Sequence, residues 1–250
     1  MMSGHNTADT ATALGLLGGT FDPIHYGHLR LAEEARMHFG LERIRLIPAG
    51  QPPHRALPGT SPAQRLQMVE LAAAGNPALE VDAAEVLSAE ASYTVLTLER
   101  LRRQFGSTRP LLLILGADAF ADLDRWHRWE EILPLCHLAI ATRPGYPCQG
   151  NGLPAALRPA LAELASSRLC HQPTAVHQQG SGLILPFPLT ALDISATRIR
   201  SLITAGSSVR YLLPDSVVDY IGAQQLYRAA GPQSAPAMPP IPQSAQPYCP

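Results

Sequence analysis

The residues of this chain best suited to chemistry are grouped in short polar clusters. In GGTFDPIHYGH (residues 18–28), His25 and His28 stand three apart around Gly27, where an apolar stretch gives way to a helical pattern. Amides at a helix start attract anions, and Gly18 and Gly19 let a ligand approach the backbone closely. Two imidazoles in that position can donate to phosphoryl oxygens as charge develops on them. Gly27 omits a side chain where a phosphate chain would pass. Without context, the same pair also fits a two-histidine metal site or ordinary capping and packing. A second cluster, ISATRIR (194–200), offers Ser195 as a natural N-cap and sets Arg198 one turn into a helix. By itself it reads equally as a capped basic helix. Smaller clusters are PPHR (52–55) with His54 and Arg55, SYT (92–94) with Tyr93 and Thr94, GAD (116–118) with Gly116 and Asp118, and RPG (143–145) with Arg143.

Composition limits what can touch an anion here. The 250 residues include 19 basic side chains, all arginine, against 20 acidic ones, for a formal charge of −1. The absence of lysine excludes a Walker P-loop, a pyridoxal Schiff base and any lysine nucleophile. Phosphate contacts must come from Arg, His and backbone N–H groups. Near-neutral charge gives no global attraction to nucleic acid or anionic lipid, and neither a basic stripe nor clustered aromatics mark a nucleic-acid module. Cys136, Cys148, Cys170 and Cys249 form no CxxC pair, which argues against a zinc ribbon or a dithiol redox site, and no resident metal ligand set is expected. The first residues carry no basic and apolar secretory leader, and no apolar run approaches the roughly 20 residues that cross a bilayer. A cytoplasmic protein without a membrane partner is expected.

The elements that must position these clusters alternate in kind. Short apolar runs predict strands over 14–17, 44–48, 79–82, 111–116, 138–141 and 183–186; amphipathic segments predict helices over 27–38, from Pro62 to 75, over 93–105, around 154–165, from Ser195 and over 214–226. That order defines α/β architecture: one domain over 13–230 built on a doubly wound, mostly parallel sheet of Rossmann-like type. Residues 1–12 and the Pro- and Gln-rich 231–250 are expected to be a disordered leader and tail. Residues 146–180 read poorly. In such a sheet, ligands bind beyond the carboxyl ends of the strands, and five polar clusters fall at those ends.

GGTFDPIHYGHL resembles the signature of the nucleotidylyltransferase superfamily, with His25, Gly27 and His28 in its H-x-G-H motif, and ISATRIR is similar to the ISSTxIR segment found with it. PPHR, SYTVLTL (92–98) and GADAFADLDRWHRWEEIL (116–133) resemble the nicotinate-nucleotide adenylyltransferase family in particular, so that the likeness covers about 13–228. It implies a Rossmann-like nucleotidyltransferase fold and transfer of AMP from ATP to nicotinate mononucleotide, with Mg²⁺ accompanying ATP. ATP would be held by Gly18, Gly19, Thr20, Phe21, Gly27, Gly116, Asp118, Ile194, Ser195 and Thr197, with Asp118 on a ribose hydroxyl. His25, His28 and Arg198 would carry the electrostatics of catalysis. The resemblance places the nicotinate nucleotide on Asp22, His54, Arg55, Tyr93, Thr94, Trp126 and Arg143, the ring against Trp126, while Trp129 reads as core. Two positions depart from the family pattern: Arg55 replaces a usual lysine, and Ala196 a usual serine. Adenylyl transfer to nicotinamide mononucleotide or phosphopantetheine, and a non-catalytic nucleotide sensor, are the rival readings.

Overall fold

Strand β1 (Leu14–Gly19) can run through the middle of a sheet because both its faces are apolar: Leu14 and Leu16 face one core, and Leu17, with Ala13 just before the strand, the other. The same alternation recurs in β4 (Leu111–Gly116) and β5 (His137–Thr142), where Ile114 and Ala139 join one core and Leu113 and Leu138 the opposite one. The computed structural model describes residues 12–52, 59–142, 147–190 and 192–228. Among them, β2 (Ile44–Pro48), β3 (Leu79–Val81) and β6 (Ile184–Pro188) complete a six-stranded sheet of order β3-β2-β1-β4-β5-β6, parallel throughout. The order reverses between β1 and β4, so the crevice beyond their carboxyl ends is where a ligand fits.

Helices cover both faces. On one lie α1 (Tyr26–Phe39) and α2 (Pro62–Ala73). Helix α1 starts at its N-cap His25 and ends at Gly40, whose φ of 63° suits a residue without Cβ. Helix α2 opens on a capping box, Ser61 with Gln64, and Pro62 at its first position. A single turn, α3 (Ala84–Leu87), precedes α4 (Thr94–Phe105) on the opposite face. After β4 come α5 (Ala117–Ala121), two 3-10 turns at Leu123–Arg125 and Trp129–Glu131, and α6 (Ile132–Leu135). Helix α7 (Pro159–Arg168) packs on that same face, and α8 (Ala196–Thr204) and α9 (Asp215–Ala223) return to the face of α1.

Four expectations need correction. The helix placed around 154–165 starts five residues later, at Pro159, because Pro154 is taken up in a bridge to Cys148 and Leu153 is buried beneath it. The closing helix stops at Ala223 rather than at 226, and Gln225 and Tyr227 follow with left-handed backbone. Tyr93 is the N-cap of α4, in extended conformation, rather than its first helical residue. Helix α3 was not anticipated; four residues are too short for a periodic signal. The expected leader and tail lie outside the described residues, apart from residue 12 in the former. No helix among the described residues is long and apolar enough to cross a membrane.

Candidate active site

A cavity of about 320 Å³ opens at the β1/β4 switch point. The first loop gives it Gly18, Gly19 and Thr20, α1 gives His28, and the segment after β4 gives Gly116, Asp118 and Trp126. Across from these stand Glu85, Ser92, Thr94 and Thr97. Residues from 18 to 126 thus meet in one space, and they include the polar ends of β1 and β4 together with the start of α4.

The two histidines form a unit. Their rings stack at 3.8 Å with 23° between planes, and the backbone N–H of His25 donates to Nδ1 of His28 at 3.3 Å. With Nδ1 accepting, a neutral His28 carries its proton on Nε2, and the residue lies on the cavity wall. His25 is nearly buried and supports that ring from behind. A Cβ on Gly27 would lie 2.9 Å from Nδ1 of His25 and 3.5 Å from the carbonyl of Ile194. Gly27 therefore makes room for the His25 imidazole and lets the start of α8 approach the start of α1. Phe21 lies beneath, at φ 50°, its ring edge-on to His28 at 5.0 Å.

Ser195 caps α8, accepting the Arg198 N–H at 3.2 Å. The Arg198 side chain is 63 % exposed and 3.6 Å from Asp193, and neither it nor Thr197 lines the cavity. It is Arg200 that reaches the first loop, donating through Nη1 to the Asp22 carbonyl at 2.7 Å and through Nη2 to Thr197 Oγ1 at 3.3 Å. Asp22, expected to hold substrate, is 5 % exposed and does not line the cavity. Its carboxylate accepts from the Gly59 N–H at 3.1 Å, the Thr60 hydroxyl at 2.6 Å and the Tyr227 hydroxyl at 2.6 Å. Burial, reinforced by that carboxylate, pushes the Tyr227 phenol well above its ordinary pKa. Tyr93 packs on His127, ring centroids 4.3 Å apart, on a neighbouring cleft. His54, Arg55 and Arg143 lie outside the described residues.

Glu85 and Arg65 carry no motif in the sequence, and Ser92 and Thr97 stand out there only as part of SYTVLTL. Glu85 accepts from the Thr97 hydroxyl at 2.5 Å, and burial raises its carboxyl pKa against the pull of the Thr97 and Ser92 hydroxyls. Ser92 Oγ accepts from the N–H groups of Gly50 and Gln51, joining the loop after β2 to α4. Arg65 is buried in α2 beside the loops. Its signal was present: it lies in one buried stripe with Met68, Val69 and Ala73, where an arginine is out of character.

The geometry is that of a nucleotide-transferring α/β domain, and the chain matches the cytidylyltransferase-like family model over residues 16–202. It is 51 % identical over 215 residues to the probable nicotinate-nucleotide adenylyltransferase of Dechloromonas aromatica, covering 86 % of this chain and 97 % of that one. The protein of the same name from Cellvibrio japonicus is 47 % identical over 217 residues, covering 86 % and 98 %. The chain belongs to the nicotinate-nucleotide adenylyltransferase family. A solved structure, Plasmodium falciparum nicotinic acid mononucleotide adenylyltransferase complexed with NaAD, shares the fold, with a TM-score of 0.64 at 15 % identity over 86 % of this chain and 97 % of that one.

Proposed function

We propose that this protein transfers the adenylyl group of ATP to nicotinate mononucleotide, giving nicotinate adenine dinucleotide and pyrophosphate. The observation that carries the reading is that one cavity is lined both by a histidine and a glycine loop, His28 with Gly18 and Gly19, and by Thr94 and Trp126. A phosphate chain suits the first, and an indole face suits a cationic pyridinium ring. The 5′-phosphate oxygen of the acceptor attacks the α-phosphorus as the bond to the bridging oxygen of the leaving pyrophosphate breaks. That phosphate is already ionised near neutral pH, so positioning and charge stabilisation carry the rate. His28, backed by His25, donates to the phosphoryl oxygens, and the amides and Arg198 at the start of α8 contribute to the same end. Asp118 accepts from a ribose hydroxyl. Tyr93, His54, Arg55 and Arg143 complete the acceptor side, and Asp22 contributes by holding the first loop.

Among the described residues, no three His, Cys, Asp or Glu side chains are grouped to hold a metal ion. A divalent cation carried on the triphosphate by phosphate oxygens and water, the usual habit of Mg²⁺, requires no such group. When bound, Mg²⁺ neutralises triphosphate charge. Cytoplasmic localisation is part of the same proposal. The test is pyrophosphate release with ATP and Mg²⁺, comparing nicotinate mononucleotide, nicotinamide mononucleotide and phosphopantetheine as acceptors. Strong preference for the first is expected. Equal use of both pyridine nucleotides would overturn the acceptor assignment, and no release with any acceptor would overturn the reaction.

A further inference from the structure

Arg65 is 1 % exposed, and burial pulls its guanidinium below the ordinary pKa against the opposing pull of Asp22. An apolar side chain would fill the same place without that desolvation. The guanidinium is spent on three carbonyls. Nη1 donates to Thr20 at 3.0 Å and to Ala49, and Nη2 donates to Gly50 at 2.8 Å. In a trans peptide, the C=O and the following N–H point in opposite directions. Each carbonyl drawn to Arg65 therefore turns the next N–H away from it. For the Ala49–Gly50 and Gly50–Gln51 peptides the result is visible, since those N–H groups donate to Ser92 Oγ at 2.8 and 3.2 Å. The two peptides are gripped from both sides. By the same geometry, the Thr20–Phe21 peptide sends the Phe21 N–H away from Arg65, in a loop whose Gly19 and Thr20 line the cavity beside His28. Phe21 has a φ of 50°, a conformation that a side-chain-bearing residue keeps only where its surroundings hold it.

Resting on the transfer reaction proposed above, we infer that Arg65 is a positioning residue that clamps the loops after β1 and β2 by their carbonyls and so holds the Thr20–Phe21 peptide where Gly19 and Thr20 line the cavity for the nucleotide. It touches no substrate itself. The test combines kinetics with amide spectroscopy on the full chain. Arg65→Lys keeps a cation but loses the planar fork, and a misplacement near 1 Å costs on the order of 100-fold. A folded Arg65→Lys enzyme is expected to lose about 10- to 100-fold in kcat/KM for ATP, and methylguanidine is expected to restore activity to Arg65→Ala while leaving the wild type unchanged. In the wild type, a non-hydrolysable ATP analogue should shift the Phe21 amide resonance; in Arg65→Lys that shift should shrink. Wild-type kinetics in Arg65→Lys would overturn the inference. So would a Phe21 amide that the analogue leaves unmoved in the wild type, a measurement that stands even if both variants fail to fold. Absence of pyrophosphate release from the wild type would instead overturn the reaction, with the amide shift still deciding the role of Arg65.

Discussion

His28 gathers contacts from two rings and one backbone N–H. The His25 backbone N–H donates to its Nδ1, which puts the proton of a neutral ring on Nε2, and the rings of Phe21 and His25 pack against the imidazole. Removing one well-aimed donor of this kind costs about 10²–10³ in rate. His28→Ala is accordingly expected to lose that factor in kcat while keeping a cooperative thermal transition; near-normal turnover in a folded variant would remove His28 from the mechanism. Tyr227 makes a different case. Its hydroxyl donates to a buried carboxylate at 2.6 Å, and hydrogen bonds to charged groups are worth about 1.5–3 kcal/mol. Tyr227→Phe should lose stability of that order in urea unfolding, since Asp22 keeps its charge and loses a donor. These two residues differ in legibility. The pairing of the histidines was readable because their three-residue spacing sets both at the start of one helix. The partners that take up the Asp22 carboxylate, Thr60 and Tyr227, lie 38 and 205 residues away and leave no local signal.

At the scale of elements, two similar N-caps separate stability from activity. Ser61 accepts from the Gln64 N–H at 3.2 Å at the start of α2, and Ser195 accepts from the Arg198 N–H at 3.2 Å at the start of α8. Loss of either cap costs about 1 kcal/mol. Ser61→Ala should therefore lower the urea midpoint and leave kcat/KM within about twofold, whereas Ser195→Ala, at the loop proposed to hold phosphates, should lower both. Equal kinetics in the two variants would separate α8 from the site. The parallel strands were legible because burial on both faces writes uninterrupted apolar runs such as LLLILG, and α1 because His25 and Gly40 bound it. Residues 146–180 were not. There the chain is held by isolated bridges and a helix opened by Pro159, and neither leaves a repeating pattern. The buried stripe of α2 marks Arg65 as out of character but does not say what it holds. Its three partners are backbone carbonyls 15, 16 and 45 positions away, and no side-chain type betrays a carbonyl.

For the whole molecule, pH acts through histidine burial as well as through carboxylates. His137 is fully buried in β5; its Nε2 donates to the Gln179 carbonyl at 2.8 Å and its Nδ1 accepts from the Leu183 N–H at 3.1 Å. Burial lowers its pKa below 6.5, and protonation would also displace the Leu183 donor. The unfolded chain thus binds more protons than the native one between the folded pKa and 6.5, so this contribution is present at neutral pH and is lost as pH falls through that window. Urea unfolding at pH 7.5 and 5.5 should show a smaller pH-dependent loss in His137→Gln than in the wild type. An equal loss in both proteins would place the acid sensitivity elsewhere.

The tie between Tyr227 and Asp22 spans 205 residues, and it joins the final turn of the described chain to the loop that opens the site. On the ribosome that separation becomes a delay. At about 5–20 residues per second, the first loop waits roughly 10–40 s after its own synthesis before the tyrosine that secures its aspartate is made. Until then the nascent chain holds its glycine loop without this anchor, the Asp22 carboxylate having only Gly59 and Thr60 of its three donors to accept from.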